Sequence, residues 1–340
     1  MTKRWTAALA ALVVAGAAAC GGTGAAETPD DTTDDTTDST PATTTSTTTS
    51  STTTATDDDA VDLTALPVGD DSVGGEAGVG LLWSCQTDFA GGGAGASGQG
   101  PWFNGDGTWN LEEKLVVDGE VSWPSEFSIA LEDDTRVFTG NDLPDHATGE
   151  YPIANDDDVY AYDGNPNSIS EQELDIELPA TPTVAAEPSC TPGGPIGALL
   201  SGAVIYNPTD ALGRDAVAWE VQDACQGHPQ QRGEYHYHSV SDCVTDTADG
   251  GHSDLVGYAF DGFGIFGHAG ENGEVLTNAD LDECHGHTHE IEWDGETAEM
   301  YHYHATYEFP YVIGCFAGDA AVTGPTGAGG GMSAGAGPMP

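Results

Sequence analysis

The tetrapeptide Tyr235-His236-Tyr237-His238 returns as Tyr301-His302-Tyr303-His304, and this repetition constrains the fold more than any other stretch of the chain. Tyrosine favours strands, and successive side chains of a strand point to opposite faces. Each copy therefore reads as a strand with two imidazoles on one side and two phenol rings on the other. Lying side by side, the two strands would set His236, His238, His302 and His304 on one surface with four tyrosines behind it. Imidazole is a common nitrogen ligand of zinc and copper, so that surface reads as a metal site. The alternative is a half-buried Tyr/His sheet whose polar tips find backbone partners.

The tetrapeptides belong to a longer duplication. The stretch from Gly197 to Tyr206 and that from Gly257 to Phe266 both match Gly-x-x-x-x-Gly-x-x-Ile-aromatic. Asp223-Ala224-Cys225-Gln226-Gly227-His228 is followed by its counterpart Asp282-Glu283-Cys284-His285-Gly286-His287, and each unit closes on a cysteine, Cys243 or Cys315. Two such units suit a pair sharing one core rather than a solenoid. The expected fold is mainly β: one disulfide-tied domain over residues 151–320, made of two related units (about 195–243 and 255–315) with pseudo-two-fold symmetry. An N-terminal β region over 61–150 precedes it.

Ten of the eleven histidines lie between His228 and His304. His236, His238, His302 and His304 are the primary ligand candidates. His228 and His287, at matching places, join them or form a second site. His285 and His289 flank His287 and make a further ligand run, whereas His252 and His268 have no counterpart and read as surface residues. Asp261 and Asp282 are candidates to ligate or to orient imidazoles by accepting their second N–H. The expected ion is copper or zinc.

Seven cysteines divide into Cys20 and six others, an even number that implies three disulfides in an exported chain. Six cysteines allow 15 connectivities. The repeat suggests Cys225 with Cys243 and Cys284 with Cys315, leaving Cys85 with Cys190. Residues 1–19 carry Lys3 and Arg4, an apolar run from Ala7 to Val14, and small residues before Cys20, the pattern of a secretory signal. Ala17-Ala18-Ala19-Cys20 resembles the lipobox of bacterial lipoproteins, which implies lipidation of Cys20 and anchoring to the outer face of the cell membrane; plain secretion is the alternative. Residues 20–60 read as a disordered Thr/Ser/Asp tether and 321–340 as a disordered Gly/Ala/Pro tail. A net charge of −51 excludes nucleic acid as a partner. It leaves the membrane to be met only through the lipid anchor.

Between residues 61 and 150, short apolar runs alternate with turns, and Asp118-Gly119 reads as a hairpin turn joining Lys114–Val117 to Glu120–Trp123. Asn155–Asp158 and Asp163–Asn167 carry oxygen ligands that calcium would accept, without the spacing of an EF-hand loop.

Tyr-His-Tyr-His together with Gly257–Gly267, Leu281–His287 and Phe309–Phe316 closely resembles the YHYH-domain family of exported or lipid-anchored proteins. The resemblance spans roughly Gly149 to Gly318, and it implies a domain and a compartment but no reaction. From the residues, the first expectation is a cell-surface protein binding copper or zinc through the histidines. A metal-dependent enzyme is the second; Glu234, Asp261 or Glu283 could supply its carboxylate, but no H-E-x-x-H or Gly-x-Ser-x-Gly spacing supports it. A structural or adhesive module whose Tyr/His strands are only core is the third.

Overall fold

Each Gly-x-x-x-x-Gly-x-x-Ile-aromatic stretch folds as an antiparallel hairpin. Pro195–Leu199 pairs with Val204–Tyr206, and Leu255–Ala259 with Gly264–Phe266. The second glycine of the pattern makes the turn: Gly202 and Gly262 adopt φ of 95° and 93°, where a side chain would be strained. Ile205 and Ile265 are fully buried. The computed structural model describes residues 61–86, 88–89, 96–244 and 250–320, and these are mainly β. The expected signal, Cys20, the tether and the tail lie outside the described residues.

The two hairpins meet along their first strands, with Ala198 opposite Tyr258 in an antiparallel pair. On the far side of each hairpin, a Tyr-His strand adds in parallel: Tyr235–Tyr237 beside Val204–Tyr206, and Glu296–His304 beside Gly264–Phe266. The Gly-His strands, Gly227–Pro229 and Gly286–Trp293, then form the two edges. The result is one eight-stranded sheet in which the repeat elements follow the same order inward from either edge.

This order corrects the expectation that the Tyr-His strands lie side by side. Four strands separate them, which at the usual spacing puts them about 24 Å apart. The reason is that each copy is claimed by the hairpin of its own unit. The register nevertheless runs His228, His236, Val204, Ala198, Tyr258, Gly264, His302, His287 across the sheet, so both sets of imidazoles leave the same face.

The middle of that face is covered by a second, three-stranded sheet of Phe127–Glu132, Thr135–Gly140 and Leu174–Pro179. Phe138 packs edge-on to Tyr258 with ring centres 5.3 Å apart. The Arg136 guanidinium lies over Tyr258 and Trp293 and pairs with Asp294 at 2.8 Å. Because its third strand falls after residue 150, this sheet hydrogen-bonds the N-terminal β region to the residues that follow it. The Asp118-Gly119 hairpin does not form. Val117 instead bridges to Asp223 and Val121 to Thr148, so the segment threads between two other parts of the fold.

Among the described residues three disulfides close the fold, Cys85–Cys190, Cys225–Cys243 and Cys284–Cys315. Asp215 ties together three regions distant in sequence: its carboxylate caps the short helix Ala216–Trp219 at Ala218 N and accepts from Gly69 N and Tyr311 Oη.

Candidate metal sites in two histidine clusters

The strand alternation read from the tetrapeptides holds. On the tyrosine side, Tyr235 donates to Asp223 and Tyr301 to Asp282, residues at matching places in the repeat. Tyr303 donates to Asp261 at 2.5 Å, while Tyr237 meets Ser201 and His146. Asp261 and Asp282 therefore hold phenol rings behind the sheet, with Asp282 also accepting from Cys284 N and Gly286 N, and neither orients an imidazole. The glycine of Cys-x-Gly-His is explained by the same packing. A Cβ on Gly227 would stand 2.2 Å from the Tyr235 ring, and one on Gly286 would stand 2.5 Å from Tyr301 Oη.

On the opposite face the histidines gather into two clusters instead of one. His228, His236 and His238 form the first, and His252, His287, His302 and His304 the second; within each, one nitrogen per ring lies within 4.8 Å of all the others. The six predicted ligands thus divide evenly, three to a cluster, and His252 completes the second. His285 is elsewhere, its Nε2 against Thr306 Oγ1. His289 lies beside the second cluster, 3.5 Å from Glu271 and stacked on His252, without belonging to the four. His268 stacks on Tyr307. His146 meets Cys225 and Cys243, but those sulfurs are joined to each other and offer no thiolate.

The backbone fixes the rings. Nδ1 of His236, His238, His302, His304 and His252 faces the carbonyl of Glu234, Asn207, Met300, Gly267 and Ser253 respectively. A carbonyl can only accept, so Nδ1 carries the proton and Nε2 presents its lone pair. Those Nε2 atoms face one another. His287 and His302 are 3.0 Å apart, His252 stands 3.1 Å from both His302 and His304, and His228 is 3.3 Å from His238. For His252 against His302 and His304, where every Nδ1 is bound to a carbonyl, two lone pairs at that range repel unless a proton or a cation lies between them. His228 and His287 have no such carbonyl among the described residues and are free to donate from Nε2. Burial disfavours the proton, holding His236 down at about 4 and His238 and His302 at about 3, with neighbouring imidazoles adding to the effect for the latter two. Nitrogens about 2.0–2.1 Å from a tetrahedral ion stand about 3.3 Å from each other, close to the separations found here.

Glu220, absent from the sequence-based candidates, completes the first cluster. Its Oε2 lies 3.5 Å from His228 Nε2 and 3.4 Å from His238 Nε2. The imidazoles are held neutral, so these contacts are not ion pairs. Oε2 is buried without a hydrogen-bond partner among the described residues, and His228 Nδ1 is in the same state. A neighbouring aromatic ring braces each cluster from the same place in its hairpin. Tyr206 stacks on His236 at 3.9 Å, and Phe266 packs on His302 at 4.9 Å. Asn165 and Asn167, considered for calcium, instead donate their side-chain amides to Pro229 O and so fix the strand that bears His228. Neither Glu220 nor His252 lies in a repeating stretch. One follows a four-residue helix and the other sits in a glycine-rich loop, so no periodicity marks them.

These features define a disulfide-tied β domain that carries two sets of inward-facing imidazoles on one sheet. Residues 175–273 match the family model described as YHYH protein, and the chain carries a YHYH domain. The matched segment holds the first Tyr-His strand and the first cluster and ends before the second Tyr-His strand. No curated protein and no solved structure is significantly similar to the chain.

Proposed function

We propose that the domain binds metal, with one copper or zinc ion at each histidine cluster. The observation that carries this reading is the convergence of Nε2 atoms within each cluster, above all those of His252, His302 and His304, which stand 3.1 Å apart across the His252 contacts on rings whose Nδ1 protons are committed to backbone carbonyls. All-imidazole donor sets suit Cu(II) and Zn(II), and copper stands highest in the usual affinity order. The acidic chain, with its net charge of −51, raises the local concentration of cations. In the same reading the domain is held at the cell surface by lipidated Cys20 and its tether. Calcium at Asp157 or Asp163 has less behind it, since Asp157 caps a 3₁₀ turn and Asp163 accepts from Val221 N.

Elemental analysis of untagged protein loaded with copper or zinc is expected to give two ions per chain. His236→Ala and His302→Ala should each remove one, and the double variant both. Calorimetry at neutral pH showing no heat with either metal would end the proposal.

A further inference from the structure

The first cluster differs from the second in what lies in front of it. His228, His236, His238 and Glu220 all line a cavity of about 750 Å³, within the range of small-molecule sites. An ion held by these four donors would sit in the cavity wall with one side facing the void. Zinc can expand to five ligands and Cu(II) accepts further ligands on a tetragonal frame, so such an ion could take a ligand from the cavity.

The remaining lining gives the class of that ligand. Tyr206 supplies an aromatic face and Gln231 an exposed amide, while the amides of Asn165 and Asn167 at the wall are shared with Pro229 O. Asp88 adds negative charge, Asp210 is paired with Arg214 at 2.6 Å, and among the described residues the lining contains no Lys or Arg. Carboxylate and phosphate recognition normally uses such cations, so apart from the ion itself an anion entering here would find no cationic side chain in the described lining to hold it. Amides both donate and accept, which suits partners that do the same.

We propose that this cavity is a ligand pocket in which a small uncharged or cationic molecule bearing amide or hydroxyl groups reaches the ion held by His228, His236, His238 and Glu220. The first cluster is then the reactive one of the pair. The second offers four imidazoles, two of them on half-buried residues, and no carboxylate. This inference rests on the metal reading above, and its test separates the two.

The full chain loaded with Cu(II) is studied by water-proton relaxation, which reads exchangeable water on the ion. His252→Ala, which weakens the second cluster, should keep most of the relaxation enhancement, and His236→Ala should lose at least half of it. Acetamide and acetate, equal in shape and different in charge, then serve as probes. Acetamide should lower the enhancement about twofold, at concentrations roughly tenfold below those at which acetate does. Gln231 is exposed, so Gln231→Arg leaves the fold intact while placing a cation at the pocket. It should reverse the preference to acetate. Two ions bound with no exchangeable water at the first cluster, or acetate favoured in the unaltered chain, would overturn the pocket and leave the metal reading standing. A chain that loads no copper would overturn both.

Discussion

At the scale of single residues, the Cys-x-Gly-His motif is a packing requirement. Gly227 and Gly286 lie under tyrosine rings that are themselves anchored to Asp223 and Asp282, so the rings cannot move aside without losing a buried hydrogen bond. Gly227→Ala is expected to lower unfolding free energy by about 3 kcal/mol, the upper range for overpacking; a urea midpoint unchanged from the parent would refute this. The residue before each glycine, Gln226 or His285, holds a φ of 60° or 76°, so the backbone there turns the same way in both units. Buried histidines also set the acid response of the metal-free protein. His236 is held at about 4, and His238, His285 and His302 at about 3, by burial. Their unfolded value is near 6.5, so between pH 6.5 and 4 the unfolded chain takes up protons that the folded chain refuses. Stability is therefore full above pH 6.5 and falls on acidification, by up to about 1.4 kcal/mol per pH unit for each ring. Asp215, pushed up to about 6 by burial, works the other way: its contribution is present below 3.8 and is lost as pH rises through 6. Asp142, Asp163, Glu220, Asp223 and Asp261 are raised by burial in the same sense, and His228, His287 and His304 are lowered with the four rings. Seven rings stand against six carboxyls, and metal-stripped protein should have a modestly lower urea midpoint at pH 5 than at pH 7.

At the scale of elements, the disulfides close loops of very different length. Sequence separations are 105 for Cys85–Cys190, 31 for Cys284–Cys315 and 18 for Cys225–Cys243. Loop-closure entropy then ranks their removal at about 5, 4 and 3 kcal/mol. Paired Cys→Ala variants compared by thermal unfolding check the order, which fails if the Cys225–Cys243 variant is the least stable. These pairings were legible in the sequence because each unit ends on its own cysteine. So was the alternation of Tyr and His, a local property with a period of two. The hairpins were legible through their glycines in the same way. Strand neighbours were not. Two identical tetrapeptides invite pairing with each other, yet His236 lies opposite Val204, and Tyr303 opposite Ile265, through parallel crossovers that no local pattern records. Glu220 went unmarked and His252 read as a surface residue for a related reason, since both reach their clusters from irregular segments.

At the scale of the whole molecule, one sheet carries two chemically distinct centres on a shared face. A three-stranded sheet with Phe138 and Arg136 covers the ground between them. The division of six predicted ligands into two sets changes what the duplication means. Copying the unit did not bring the two tetrapeptides into one cluster; it produced two histidine clusters, each supplied chiefly from its own half and joined by a different fourth group. All the donors of the first, from Glu220 to His238, precede Cys243 in the chain, as do the asparagines and carbonyls that hold them. The second spans His252 to His304 and relies on Gly267. On the proposed metal reading, the chain emerging during synthesis has every donor for its first ion available while most of those for the second have still to be translated, so that maturation proceeds one ion at a time.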